Sequence, residues 1–487
     1  MGGDGDSIGG EGAGGAMAAA WTLTRACAKV LMLMVGRDTA GRRRTRPARP
    51  GVIRRPGLIA VGALLSSATL GTAPPPPLAC PTGASAPSGI SGSGIVKVAD
   101  DRVIHRFFDT SPISPSGRTM ALLRFPDETR SPKPGDVADV ILIDLVTRRE
   151  RTIARTRGWE MQLGAHVQWG ASDRQLFFSD VDLATWKAKT ILLDPASGRR
   201  RTLDGPLFMV SPDGRSVAGH DMATSRFAQV GYGVVVPDSA APRVFGPSPD
   251  NGVFVTDVRT GRSRLVASAA AIYAQAKPSL KIADPSRFEY YVFQVKWNPQ
   301  GTRLLVSFQW TPKGGGPRGR AAVTMRPDGS DIRTAITPAQ WALGGHHIAW
   351  MADGEHVSMN LPLAAGAPLS LISVRYDGSD LKTIFPLGSG HPSQHPRGLP
   401  LFITDAYPDE PLTRRDGTVP LRLINLATQT EKHVATVYVS NTGGEFRIDP
   451  HPAWDRTGRY VTFNGYVGCT RNVWVIDLKD EVARIRR

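Results

Sequence analysis

Histidine is scarce in this chain, with ten among 487 residues. Three of them, His347, His391 and His451, each precede a polar turn that ends in glycine, and they do so in consecutive repeat units. Equivalent positions of successive repeats meet at one end of a closed ring. Imidazoles gathered there could ligate a divalent metal such as Zn²⁺ or Mn²⁺. The competing reading is a set of ordinary His-Pro turn residues whose rings bond to backbone. Other chemistries are excluded by pattern. The three cysteines, Cys27, Cys80 and Cys469, form no CxxC pair and are too few for a disulfide scaffold. There is no GxSxG elbow, no P-loop, no GxGxxG opening a helix and no HExxH. Aromatic and basic residues do not interleave as a base-stacking platform would need, so nucleic acid is not an expected partner.

The elements that must position these histidines are repeats. The glycine turn recurs as Ser114–Gly117, Ser211–Gly214, Asn298–Gly301, Met351–Gly354, His395–Gly398 and Asp455–Gly458, with a degraded copy at Gly170–Asp173. Each turn is followed by an alternating run and then by an apolar strand, such as ILIDL from 141, ILLD from 191 or VWVIDL from 473. Period-two alternation marks strands with one buried face. Apolar stripes of helical period are scarce after residue 100. Seven units at roughly 40–60 residue spacing predict an all-β, seven-bladed β-propeller over residues 105–487. The third unit is longer, with insertions near 220–250 and 270–290. The segment 95–107 is expected to add an outer strand that latches the ring. Two stacked β-sandwiches are the alternative, but sandwiches do not repeat a turn at fixed register.

The rest of the chain is different in composition. Residues 1–50 are Gly-rich and then Arg-rich, and predict a disordered leader. Residues 52–80 carry Arg54-Arg55 before an apolar run from Gly57 to Leu70 and then small residues, the layout of an export signal. A start downstream of residue 50 would leave the leader untranslated. Cys80 is a candidate lipidated cysteine, and a single membrane anchor is the alternative to cleavage. Residues 81–104 read as a linker. The formal charge is +16, of which residues 1–80 hold +6 and the remainder +10. A basic folded body favours anionic partners, acidic polysaccharide among them. The expected location is periplasmic or extracellular.

The SPDG-type turns followed by a strand ending in Asp resemble the repeats of TolB-type propellers. More narrowly, GWEMQLGAHVQW (158–169), SRFAQVGYG (225–233), GGHHIAW (344–350), GSGHPSQHPRGLPLFITDAYPD (388–409) and RIDPHPAW (447–454) resemble stretches of the oligogalacturonate-lyase and ulvan-lyase kind. That resemblance implies β-elimination from a uronate. It implies a metal held by His347, His391 and His451, with Asp449 or water as a fourth ligand. It further implies Arg226 as the clamp for the sugar carboxylate, Tyr232 as acid or base, His166 as a candidate base, and Trp169 as a sugar platform. The sequence departs from the pattern at Phe208, where a tyrosine is expected, at Tyr291 and Gln294, where histidines are common, and at Ile448, where cysteine is. Two functions follow as expectations. One is a monomeric uronate-polysaccharide lyase. The other is a non-catalytic TolB-like propeller that binds an envelope protein or glycan.

Overall fold

The computed structural model describes residues 86–89, 94–407, 410, 412–439 and 444–485. The leader, the export signal and Cys80 lie outside them, as does part of the linker. The architecture is an all-β, seven-bladed propeller, each blade an antiparallel sheet. In chain order the innermost strands are Val103–Ile104, Gln168–Trp169, Met209–Val210, Phe288–Trp297, His346–Trp350, Ser393–Gln394 and Ala453–Trp454. Each is followed by two further strands and, in blades 1 to 6, by an outer one.

Blade 7 has only three strands of its own. Its outer strand is Ile95–Ala99, which pairs antiparallel with Thr470–Asp477, Ile95 opposite Ile476 and Lys97 opposite Trp474. The expected latch is therefore present, and the propeller begins before residue 95 rather than at 105. Within the segment 95–107, the apolar side chains of Ile95–Ala99 complete the last blade and those of Val103–Ile104 the first, so both are strands although the linker expected from sequence runs to 104. Ser88–Gly89 adds a short fifth strand to blade 6.

The cores lie between blades. Leu123, Val140 and Leu142 of blade 1 pack on Trp169, Leu176 and Phe178 of blade 2. Ala99 and Val473 of blade 7 pack on Val103, Met120 and Ile141 of blade 1. Helices are short: Met222–Ala228 lies in the insertion of blade 3, and Ala269–Gln275, Pro338–Ala342 and Lys479–Ile485 cap later segments. Among the described residues no helix is long and apolar enough to cross a membrane.

Two local devices set the channel wall. The turn glycines Gly117, Gly214, Gly301, Gly354, Gly398 and Gly458 all have φ between 69° and 78°, a region glycine enters without a Cβ clash. Each donates its N–H to the carbonyl three residues back. Four residues after Gln294, His347 or His451 the turn begins, and tryptophans just before it stitch neighbouring blades. Trp169 Nε1 donates to Pro112 O, Trp297 to Met209 O, Trp350 to Lys296 O and Trp454 to Ser393 O, at 2.8–3.2 Å. Where blade 3 lacks a tryptophan, Gln168 does the work, accepting from Val210 N and donating to Phe208 O.

Replacing Trp454 by Phe keeps the ring and removes the N–H, leaving Ser393 O buried without its donor. The expected cost is about 1–3 kcal/mol in urea unfolding. An unchanged midpoint would mean that the stitch contributes nothing.

Candidate metal centre

The position seven residues before the glycine of the turn has a common backbone peculiarity. His166, Gln294, His347 and His451 have φ of 53°, 59°, 59° and 48°. In blade 6 the left-handed residue is Gly390, φ 60°, immediately before His391. Non-glycine residues rarely adopt this region. In blades 4 and 5 it coincides with a register shift in the innermost strand, between Phe293 and Lys296 and between His346 and Ala349. A bulge of this kind re-aims a side chain. Here it brings imidazoles from different blades together at one end of the ring.

His391, Asp449 and His451 each offer a ligand atom, and these atoms all lie within 4.8 Å of one another. All three residues are buried. The His391 and His451 rings are 4.3 Å apart at their centroids and meet edge to face. Phe107 and Phe108 form the floor, with the Phe107 ring 4.7 Å from His451 and the Phe108 ring 5.6 Å from His391.

The donor set fits a divalent cation. Neither ring nitrogen of His451 has a hydrogen-bond partner among the described residues. Burial pushes its pKa well below the ordinary value, so the imidazole is neutral and its lone pair is free. His391 Nδ1 lies 3.0 Å from both carboxylate oxygens of buried Asp405. That carboxylate holds the proton on Nδ1 and leaves Nε2 as the ligand atom, the usual outer partner of a metal histidine. Two imidazoles and one carboxylate leave further coordination positions open.

His347 stands beside this set but outside it. Its ring centroid lies 3.7 Å from that of His391, with the two planes tilted by 34°. Its Nδ1 is 2.8 Å from Gly390 O and its Nε2 is 3.1 Å from the Tyr407 hydroxyl. Both nitrogens are thus engaged, which separates His347 from the ligand atoms expected of it. Tyr407 also reaches to 3.4 Å from His391 Nε2, and burial drives its hydroxyl pKa well above the usual value.

The remaining expected residues are distributed as follows. Tyr232 is buried beside Phe293, at 5.1 Å between rings, with the guanidinium of Arg447 over its ring at 5.3 Å. Arg447 Nε donates to Asp449 Oδ2 at 3.2 Å, which ties Tyr232 to the metal-type cluster. Arg226 does not join them. Its guanidinium donates to Val236 O at 2.9 Å and to the exposed Asp238 at 2.8 Å, so Arg447 is the guanidinium placed against Tyr232. His166 is buried, with Nε2 3.8 Å from Glu160 Oε1. Trp169 lies three residues further along the chain, in the strand Gln168–Trp169. It lines a cavity of about 330 Å³ at the turn end of the channel, together with Trp297, Trp350 and Trp454. Its indole is not among the histidines.

Asp405, Tyr407 and Arg447 were not singled out from sequence. The first two fall in the 388–409 stretch quoted above, and Arg447 opens the 447–454 stretch. No pattern within a single blade distinguishes them, because each acts on a residue of another strand.

No protein-family model matches the chain, and no curated protein matches it in sequence. Among solved structures, the fold is similar to an oligogalacturonate lyase in complex with manganese. The TM-score is 0.56 at 14% identity, over 81% of this chain and 96% of that one. An oligogalacturonate lyase from Vibrio parahaemolyticus matches with a TM-score of 0.54 at 12% identity, over 80% of this chain and 94% of that one. TolB from Acinetobacter baumannii gives 0.34 at 12% identity, over 66% and 63%. At these identities the two lyase matches establish a shared fold.

Buried histidines also shape the acid limb of stability. Burial lowers His105 from 6.5 to about 4 and His220 to about 3. The folded chain then binds fewer protons than the unfolded chain between those values and 6.5. Stability is fully present above the unfolded value and is lost as pH falls below it. The urea midpoint of metal-free protein is expected to fall continuously from pH 6.5 towards pH 4. A flat profile would mean these rings are solvated.

Proposed function

We propose that this chain is an exported lyase of uronate-containing polysaccharide that holds a divalent cation between His391, Asp449 and His451. The observation that carries this reading is the buried convergence of those three groups, with a free imidazole at His451 and a carboxylate behind His391. The manganese complex of the lyase of similar fold supports both the metal and the reaction class. Export is supported by Cys469, which is disulfide-bonded. Disulfides persist in oxidising compartments.

In β-elimination the C5–H bond of the uronate breaks, its electron pair becomes the C4=C5 double bond, and the C4–O4 bond breaks as the leaving oxygen takes a proton. A cation bound at the centre supplies positive charge against the uronate carboxylate, which acidifies the C5 proton. Arg447 adds a fixed guanidinium beside Tyr232 and can share that carboxylate. Two residues carry complementary proton states. Burial lowers the pKa of His166, so at neutral pH its imidazole is an acceptor. Burial raises the pKa of Tyr232, so its hydroxyl stays protonated and can donate to the departing oxygen. Solvent returns the proton from His166 to Tyr232 after each cycle.

Protein loaded with Zn²⁺ or Mn²⁺ and dialysed should retain about one ion per chain. It should also release products with the ultraviolet absorbance of an unsaturated uronate from pectate, alginate or ulvan. Asp405→Asn should weaken metal binding about 10–100-fold. Arg447→Ala should abolish turnover with the fold intact, whereas Arg226→Ala should leave it. Retained metal without unsaturated product on any uronate would turn the reading to a non-catalytic propeller that binds an envelope glycan or protein. Failure to retain either ion would remove the metal centre.

A further inference from the structure

Blades 1 to 3 hold a second group of buried titratable residues, apart from the histidines above. Glu160 and His166 are 3% and 2% exposed. They face each other with Nε2 and Oε1 3.8 Å apart. Glu160 is anchored through its other oxygen, which accepts the backbone N–H of Gly233. Among the described residues its Oε1 has no hydrogen-bond partner, and neither does either nitrogen of His166. An orphaned carboxylate oxygen and an orphaned imidazole in one buried space are each costly, and bonding to one another removes that cost. Closing less than an ångström would make the bond, and catalytic hydrogen bonds are commonly long in the free protein.

We propose that Glu160 is the positioning residue of His166. It accepts a hydrogen bond from Nε2–H and so leaves Nδ1 as the atom that takes a proton. This rests on the lyase reading for its consequence but not for its geometry. The groups around His166 are accounted for. Arg106 is committed through its terminal nitrogens to Asp109, Thr110 and Phe208 O. Asp109 is paired with Lys296 at 2.9 Å. His220 Nε2 lies 2.9 Å from Ser225 Oγ. Tyr232 precedes the Gly233 that anchors Glu160. Glu160 is the one carboxylate among them that is both near Nε2 and unpaired at that oxygen. It also holds the backbone at Gly233, so one side chain places the acceptor His166 and the donor Tyr232 relative to each other.

The sign of the effect follows from charge. A carboxylate against Nε2–H stabilises the imidazolium and raises the basicity of Nδ1. Gln at 160 keeps size and shape, and its carbonyl can still accept from Gly233. Its amide NH₂ then faces His166 and favours the opposite tautomer, with Nε2 as acceptor and Nδ1 protonated. That imidazole presents a donor where the reaction needs an acceptor.

The test is ¹⁵N-histidine NMR on the full chain, with the His166 signal assigned by its loss in His166→Asn. In the native protein the unprotonated nitrogen of His166 should be Nδ1. In Glu160→Gln it should become Nε2. With uronate substrate, Glu160→Gln should lower kcat at least about tenfold with KM within about twofold. The acid limb of its pH–rate profile should move to lower pH. A native spectrum with Nε2 unprotonated overturns the proposal, and needs no variant to fold. So does an unswitched tautomer in folded Glu160→Gln. If the tautomer switches but the native protein makes no unsaturated product, the pairing stands and the lyase reading fails.

Discussion

The propeller depends on one backbone pairing between distant parts of the chain, Ile95–Ala99 along Thr470–Asp477. Blade 7 would otherwise end in an open edge of unpaired N–H and C=O groups. The pairing also completes the core between the last blade and the first, where Ala99 and Val473 meet Val103, Met120 and Ile141. Polar contacts reinforce the seam: Arg102 N donates to Thr470 Oγ1, and His105 N to Asn464 Oδ1. Closure and site are continuous. The latch strand leads through Val103–Ile104 into Phe107 and Phe108, the floor beneath the histidines. Whatever holds the ring shut therefore also fixes the bottom of the centre.

Above that floor the controlling feature is a backbone one. Glycine would enter the left-handed conformation at 347 or 451 at little cost, and histidine does not. Histidines kept there despite the strain are the outliers from which a functional reading starts. The inter-blade stitches just downstream, Trp350 to Lys296 O and Trp454 to Ser393 O, anchor the same short strands and help maintain the conformation. Local strain is thus borne by packing between blades.

The channel is divided by charge as well as by rings. Arg106, Asp109 and Lys296 are buried together, and Lys296 Nζ lies 4.8 Å from both Phe107 and Phe108. Burying three charges is tolerable because each is paired and further bonded, Lys296 to Ile348 O and Arg106 to Phe208 O. This layer separates the histidine end, rich in unpartnered polar atoms, from the tryptophan-lined cavity at the turn end.

Repeated alternation and glycine turns determined the all-β ring and the count of seven, because each sheet is specified by local pattern and must bury its faces on copies of itself. The register of His347, His391 and His451 was legible for the same reason. The latch was legible as a spare apolar segment, though its boundary was not, since Ile95–Ala99 acquires its role only from a partner almost 400 residues away. The separation of Arg226 from Tyr232, and the placing of Arg447 beside that ring, were decided by tertiary structure alone. Helix Met222–Ala228 turns Arg226 to Val236 and Asp238, while the 444–449 segment lays Arg447 on Tyr232. The same holds for His347, drawn to Gly390 O and Tyr407, and for Asp405 and Glu160, whose meaning lies in the imidazole each one faces. Short-range pattern encodes which face of a strand is buried. It does not encode which side chain from another blade will be waiting there, because that depends on how all seven sheets close.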